Sequence, residues 1–75
     1  MSKLYQQCRL QKDRQLLTTW VPLKFAQIGK EVRVKINNKW EIGWYVDYIY
    51  KYKITEKEFK TISWQYKQTR KVSDI

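Results

Sequence analysis

Histidine is absent from this chain, cysteine and proline occur once each, and glycine twice. Each shortage excludes something. Without histidine, the general base of a Ser-His-Asp or Cys-His nucleophile system is missing. With Cys8 as the sole cysteine, neither an internal disulfide nor a Cys/His zinc site can form within one chain. Gly29 and Gly43 make no phosphate-cradling loop motif. No apolar run is long enough to span a bilayer, and residues 1–7 lack the apolar centre of an export signal. Carboxylates are scarce as well, and the spacing of Glu31, Glu41 and Asp47 does not suggest a magnesium site. The expectation is therefore a non-enzyme with no catalytic residue, metal or cofactor.

What the chain has in excess is positive charge. Sixteen Lys and Arg oppose seven Asp and Glu, a formal net charge of +9 with a pI near 9.8. Such a chain is drawn to polyanions: nucleic acid, an anionic membrane or an acidic protein face. It is not a disordered tail, because 43% of it is hydrophobic and 16% aromatic. Seventy-five residues hold one core, which buries only roughly 60% of the chain's surface. A single domain over residues 1–75 follows, with residues 67–75 read as a frayed basic tail. A core this small gains from dimerisation, so a homodimer is an open expectation.

Leu4 to Leu10 reads as a weak strand, and Lys12-Asp13-Arg14 as a polar turn. Leu16 to Val21 is β-branched and aromatic, which favours a second strand. Pro22 cannot donate to a ladder, so it ends that strand and opens a short helix to Gln27, stopped by Gly29. Val32-Arg33-Val34-Lys35-Ile36 alternates strictly, as a half-buried strand requires. Asn37-Asn38-Lys39 carries turn chemistry. Trp40 to Gly43 either extends that connection or begins the next strand. Trp44 to Tyr52 reads as a long strand. One face carries Trp44, Val46, Tyr48, Tyr50 and Tyr52; the other carries Tyr45, Asp47, Ile49, Lys51 and Lys53. Thr55 and Glu58 match a capping box for a helix running to about Lys67, with Phe59 and Ile62 packed on the sheet. The fold class is α+β. It is a small four-stranded antiparallel sheet, open to curling into an SH3-like or Tudor-like open barrel, with a short helix after Pro22 and a C-terminal helix.

Several elements of the chain have a familiar form. Cys8-Arg9-Leu10, Thr18-Thr19-Trp20-Val21-Pro22, Lys24-Phe25-Ala26, Gly29-Lys30 and the ending Tyr66 to Ile75 together resemble small basic proteins encoded by tailed bacteriophages. The resemblance covers most of the chain and is anchored on the Thr-Thr-Trp-(Val/Ile)-Pro element and the Thr-Arg-Lys-x-Ser-Asp-Ile tail. It implies a phage origin and action in the cytoplasm of an infected bacterium, and it carries over no catalytic residue. The tyrosine-rich stretch from Tyr45 to Lys53 departs from that pattern.

Three sets of residues are candidates for binding. Lys67, Arg70 and Lys71, with Lys57 and Lys60 upstream, could grip phosphates; the competing reading is a solvated helix face and a frayed end. Lys30, Arg33, Lys35 and Lys39 form a second cationic run, extended by Lys51 and Lys53 if the third and fourth strands pair; the competing reading is edge protection. The aromatic set comprises Trp40, Trp44, Tyr45, Tyr48, Tyr50, Tyr52, Trp64 and Tyr66. Among these, Tyr45, Tyr50 and Trp64 are singled out as stacking residues, since bases stacked on rings contribute roughly 1–3 kcal/mol each. Trp20 and Trp44 are expected in the core. Cys8 reads as a small buried hydrophobe rather than a nucleophile.

The leading functional expectation is nucleic-acid binding, to DNA or RNA, through Lys/Arg phosphate contacts and aromatic stacking. The alternative is a protein module that modulates a host bacterial enzyme such as a polymerase, a nuclease or a defence complex. No membrane partner is expected.

Overall fold

A computed structural model describes residues 3–66 and 70–75, the side chains of 63–66 excepted. Five strands form one antiparallel sheet: β1 (Leu4–Lys12), β2 (Gln15–Pro22), β3 (Glu31–Ile36), β4 (Lys39–Thr55) and β5 (Val72–Asp74). Helix α1 (Glu56–Tyr66) follows β4, and a single 3-10 turn, Leu23–Phe25, follows β2. The spatial order is β2-β1-β4-β3-β5. The sheet is curled but not closed. Its edge strands β2 and β5 approach one another with no ladder between them.

Two hairpins set this order. Asp13-Arg14 joins β1 to β2 with Asp13 at φ 53°, and Asn37-Asn38 joins β3 to β4 with φ of 52° and 64°. In the second turn positive φ at both central residues gives a twist that matches the flanking strands, and asparagine tolerates it. The 17-residue β4 then serves two partners. Its first part, to Tyr45, pairs with β3, and its remainder, from Tyr45 to Thr55, pairs with β1.

The core lies on the concave side. Cys8, Leu10, Val21, Val32, Val34, Trp44 and Val46 are buried, with Leu17, Phe25, Ala26, Ile36, Ile49 and Val72 packed around them. The alternation of Val32, Val34 and Ile36 inward thus holds, as does the burial of Cys8 and Trp44. Trp20 does not join them. It stands opposite Gln7, half-buried, with its neighbours Thr19 and Val21 pointing inward instead.

Three features of the fold correct the reading of the sequence. The sheet has five strands rather than four, because Val72–Asp74 pairs with β3 along its free edge. The stretch expected to fray is therefore strand in part; residues 67–69 lie outside the described residues. The uniform alternation expected from Trp44 to Tyr52 fails as well. Leu10 pairs with Val46 and Cys8 with Ile49, so one extra residue intervenes at Asp47–Tyr48. This bulge sends Tyr48 to the outside and brings Ile49 against the core. A second shift separates Val32–Trp44 from Val34–Glu41, and Gly43 takes up the φ of 91° it demands. The helix expected after Pro22 is only the 3-10 turn.

Helix α1 begins as its capping box predicts. The Thr55 hydroxyl accepts from the Glu58 N–H at 3.2 Å, and the Glu58 carboxylate accepts from the Thr55 N–H at 3.1 Å. Phe59 anchors the helix to β1 by stacking on Tyr5, with ring centroids 4.1 Å apart. No helix among the described residues is long and apolar enough to cross a membrane.

Candidate nucleic-acid interface

Because alternate residues of β3 point inward, Glu31, Arg33 and Lys35 are left on the convex face. The pairing continues this face in rows across the sheet. Trp40 of β4 stands opposite Lys35 of β3. Lys35 in turn donates its N–H to the Lys71 carbonyl at 2.9 Å, one step beyond the Val34–Val72 pair. Trp40, Lys35 and Lys71 thus form one row on three neighbouring strands. In the adjoining row Arg33 faces Ser73. The Arg33 guanidinium lies over the Trp40 ring, 4.7 Å from its centroid. Its Nε is buried and has no hydrogen-bond partner among the described residues, while Trp40 remains 42% exposed.

The distribution of carboxylates makes this end of the face electropositive. The ion pairs among the described residues are Arg9–Asp47 at 2.9 Å, Lys12–Glu41 at 3.4 Å, Lys30–Asp74 at 2.9 Å and Lys60–Glu56 at 3.7 Å. Glu31 accepts from the Tyr45 hydroxyl at 3.2 Å, and Glu58 is engaged in the helix cap. Eleven of the fifteen Lys and Arg among the described residues are left with no carboxylate partner, and Arg33, Lys35 and Lys71 are the three of them that share this end of the face. Their charges are free for an external anion, and the two lysines directly opposite one another repel.

The other half of the convex face is different in character. Arg9 donates from Nε to Asp47 and lies 5.6 Å from the centroid of the Tyr48 ring. Tyr48 packs edge-on against Tyr50 at 4.8 Å. Tyr45 and Tyr48 are 47% and 50% exposed. The charges here cancel, leaving a neutral aromatic surface beside the basic one. The nearby carboxylate of Glu31 and its hydrogen bond hold the Tyr45 phenol above its ordinary pKa, so Tyr45 stays a neutral hydroxyl at physiological pH.

The candidate residues are therefore only partly gathered. Arg33, Lys35 and Lys71 come together at the β3–β5 end, and Tyr45 borders them; Lys39 stands opposite Ile36, on the core side of the hairpin, and Arg70 precedes β5 and is not brought into the patch by the strand pairing. Lys30 is engaged with Asp74 and sits within 5.9 Å of the Phe25 ring centroid. Lys51 and Lys53 do not extend this patch: although β3 and β4 pair, both lysines lie on the far part of β4, where Lys53 pairs with Gln6 of β1. They lead instead towards Lys57 and Lys60 of α1, and Lys60 is paired with Glu56. Tyr50 is half-buried against Tyr48, and its carbonyl accepts from the Gln6 side chain. The side chain of Trp64 and all of Lys67 lie outside the described residues.

Trp40 belongs to the candidate aromatic set but not to the three stacking residues picked from it, and Arg9 is in none of the candidate sets. Trp40 falls in a stretch whose period is broken by Gly43, and Arg9 sits in a strand with weak alternation. Glu31, Glu41 and Asp47 do not converge, since each is held by a different partner. Compared with protein families, curated proteins and solved structures, the chain matches none.

Proposed function

We propose that this protein is a non-enzymatic nucleic-acid-binding module that holds phosphates on the convex face of a curled, SH3-like sheet. The observation that carries the reading is the placement of Lys35 across from Lys71, beside Arg33, with none of the three in an ion pair among the described residues. A sheet that sets like charges opposite one another sacrifices stability, and an external polyanion relieves the repulsion. Arginine adds a planar fork suited to phosphate oxygens. The resemblance of Thr18 to Pro22 and of Thr69 to Ile75 to small phage proteins bears only on where the module works, inside an infected bacterium, and the nucleic-acid reading rests on the charges of the face.

Binding through about three to five phosphate contacts gives log affinity a slope against log salt of roughly −2 to −4. Titration of labelled oligonucleotides at several salt concentrations measures it. Replacing Arg33, Lys35 and Lys71 together by Ala is expected to flatten the slope by about 2 to 3. Negligible affinity at low salt rules the reading out.

A second reading draws on the neutral half of the same face. Exposed Tyr45 and Tyr48, with Leu16 at the edge strand, are the residue types that anchor protein partners. A host protein recovered stoichiometrically from nuclease-treated lysate, and lost on Tyr48→Ala, favours it; partners that vanish with nuclease favour nucleic acid.

A further inference from the structure

We infer that Trp40 is a stacking platform for an unpaired base, and that the ligand of the basic face is therefore a single strand rather than a duplex. The inference rests on the phosphate-binding reading and adds the base contact to it. An indole left 42% exposed on a sheet face is poorly placed to stabilise the core. It is nevertheless held in a defined plane, because the Arg33 guanidinium covers one side at 4.7 Å and the strand pairing fixes its base next to Lys35. A ring already oriented loses little freedom when a second planar group adds to it. Every base has a π-face, but in a duplex that face is hidden in the stack. A duplex offers this surface phosphates alone, whereas a single strand offers phosphate and base together.

The charges fix the direction in which such a strand lies. Adjacent strands are roughly 4.8 Å apart, so Trp40 and Lys71, two strands apart, are separated by roughly 10 Å at the backbone. That span suits one nucleotide with its flanking phosphates. Lys35 and Lys71 mark the phosphate side. Asp47 is neutralised by Arg9, while Glu31, two residues from Arg33 along β3, keeps a backbone towards the Lys35–Lys71 end. The sugar-phosphate chain accordingly runs on the β3–β5 side, and its bases point across Trp40 towards the neutral surface of Tyr45 and Tyr48. The Arg33 Nε, buried and without a partner, belongs to the group that would contact a phosphate beside the stacked base.

Fluorescence anisotropy of the full chain with three labelled probes of equal length tests this: oligo(dT), an abasic strand with the same phosphates, and a duplex. The expected order is oligo(dT) tighter than the abasic strand by roughly tenfold or more, the equivalent of about 1.4 kcal/mol. Trp40→Ala brings oligo(dT) to the level of the abasic strand measured with the same variant; Trp40→Phe retains most of the difference. Arg33→Lys, which keeps the charge but removes the planar backing, reduces the preference without removing the salt dependence. Because Trp40 is exposed, its variants are expected to fold, and circular dichroism checks this for them and for Arg33→Lys. Equal, salt-dependent binding of oligo(dT) and the abasic strand overturns the stacking inference and leaves phosphate binding intact. A preference for oligo(dT) that survives Trp40→Ala also overturns it. Absence of binding to all three probes overturns both readings.

Discussion

Lys35 and Lys71 face one another across β3 and β5, joined by a 2.9 Å main-chain hydrogen bond and repelling through their side chains. The repulsion is a cost of the free protein that a bound anion removes. Lys71→Glu is therefore expected to stabilise the free domain by about 0.2–1 kcal/mol at low salt, a gain that fades as salt screens it. The same change weakens oligonucleotide binding. Urea denaturation and anisotropy on one preparation measure both effects. Loss of stability together with unchanged binding contradicts this account of the pair.

Gly43 has φ 91° at the point where β4 carries an extra residue opposite Arg33. A Cβ there meets nothing closer than the Lys12 side chain at 3.6 Å, so the penalty is conformational rather than steric. Gly43→Ala is expected to cost about 1–2 kcal/mol, a drop in Tm of roughly 4–16 °C for a domain of this size. The change acts on the register between Val34–Glu41 and Val32–Trp44, while the Trp40–Lys35 pair on the hairpin side is set by the Asn37-Asn38 turn; thermal denaturation measures the cost, and oligonucleotide affinity of the folded domain is expected to be kept.

The hydroxyl of Thr19 is buried on β2 without a hydrogen-bond partner among the described residues. Leaving a hydroxyl unsatisfied typically costs about 1–3 kcal/mol. Thr19→Val removes the unmet group and keeps the β-branched shape, so it is expected to leave stability unchanged or raise it by about 1 kcal/mol. A clear loss in chemical denaturation indicates that the hydroxyl has a partner in solution.

Cys8 is fully buried, and burial pushes its thiol up to about 11. Near neutral pH it is expected to resist thiol reagents until the domain unfolds. The sign of its pH effect follows from its acidity. Above the thiol's usual range, near 9, the unfolded chain releases this proton while the folded one retains it. Stability therefore falls as pH rises from about 9 to 11, by about 2–3 kcal/mol in all from this group. Denaturation of the wild type against Cys8→Ala over that range isolates the slope.

Thr55 caps α1 with its hydroxyl, and Glu58 closes the box. Thr55→Ala is expected to destabilise the helix by about 1 kcal/mol. The effect should appear first as faster amide exchange in α1, because the helix is tied to the sheet mainly through Phe59 on Tyr5.

Several elements are legible in the residues themselves. Val32, Val34 and Ile36 alternate with Arg33 and Lys35 and define an inner and an outer face without further information. Asn37-Asn38 dictates a tight hairpin, because asparagine accepts positive φ. Thr55 with Glu58 announces the helix that follows. The surplus of lysine and arginine is equally plain, as is the burial of Cys8 and Trp44.

What the chain order could not decide depends on pairs of strands. The bulges at Asp47 and Gly43 arise from a mismatch between two partners, and no single strand encodes that mismatch. The first turns Tyr48 outward and draws Ile49 inward; the second offsets Trp44 from the register of the hairpin that pairs Trp40 with Lys35. Val72–Asp74 is too short to declare itself as a strand; it becomes one because β3 has a free edge to which it can bond. The sequence by itself determined local geometry and net charge, since both are sums over neighbouring residues. Only the tertiary structure decided which cations keep their charge uncompensated, since ion pairing joins residues as distant as Lys30 and Asp74 or Arg9 and Asp47.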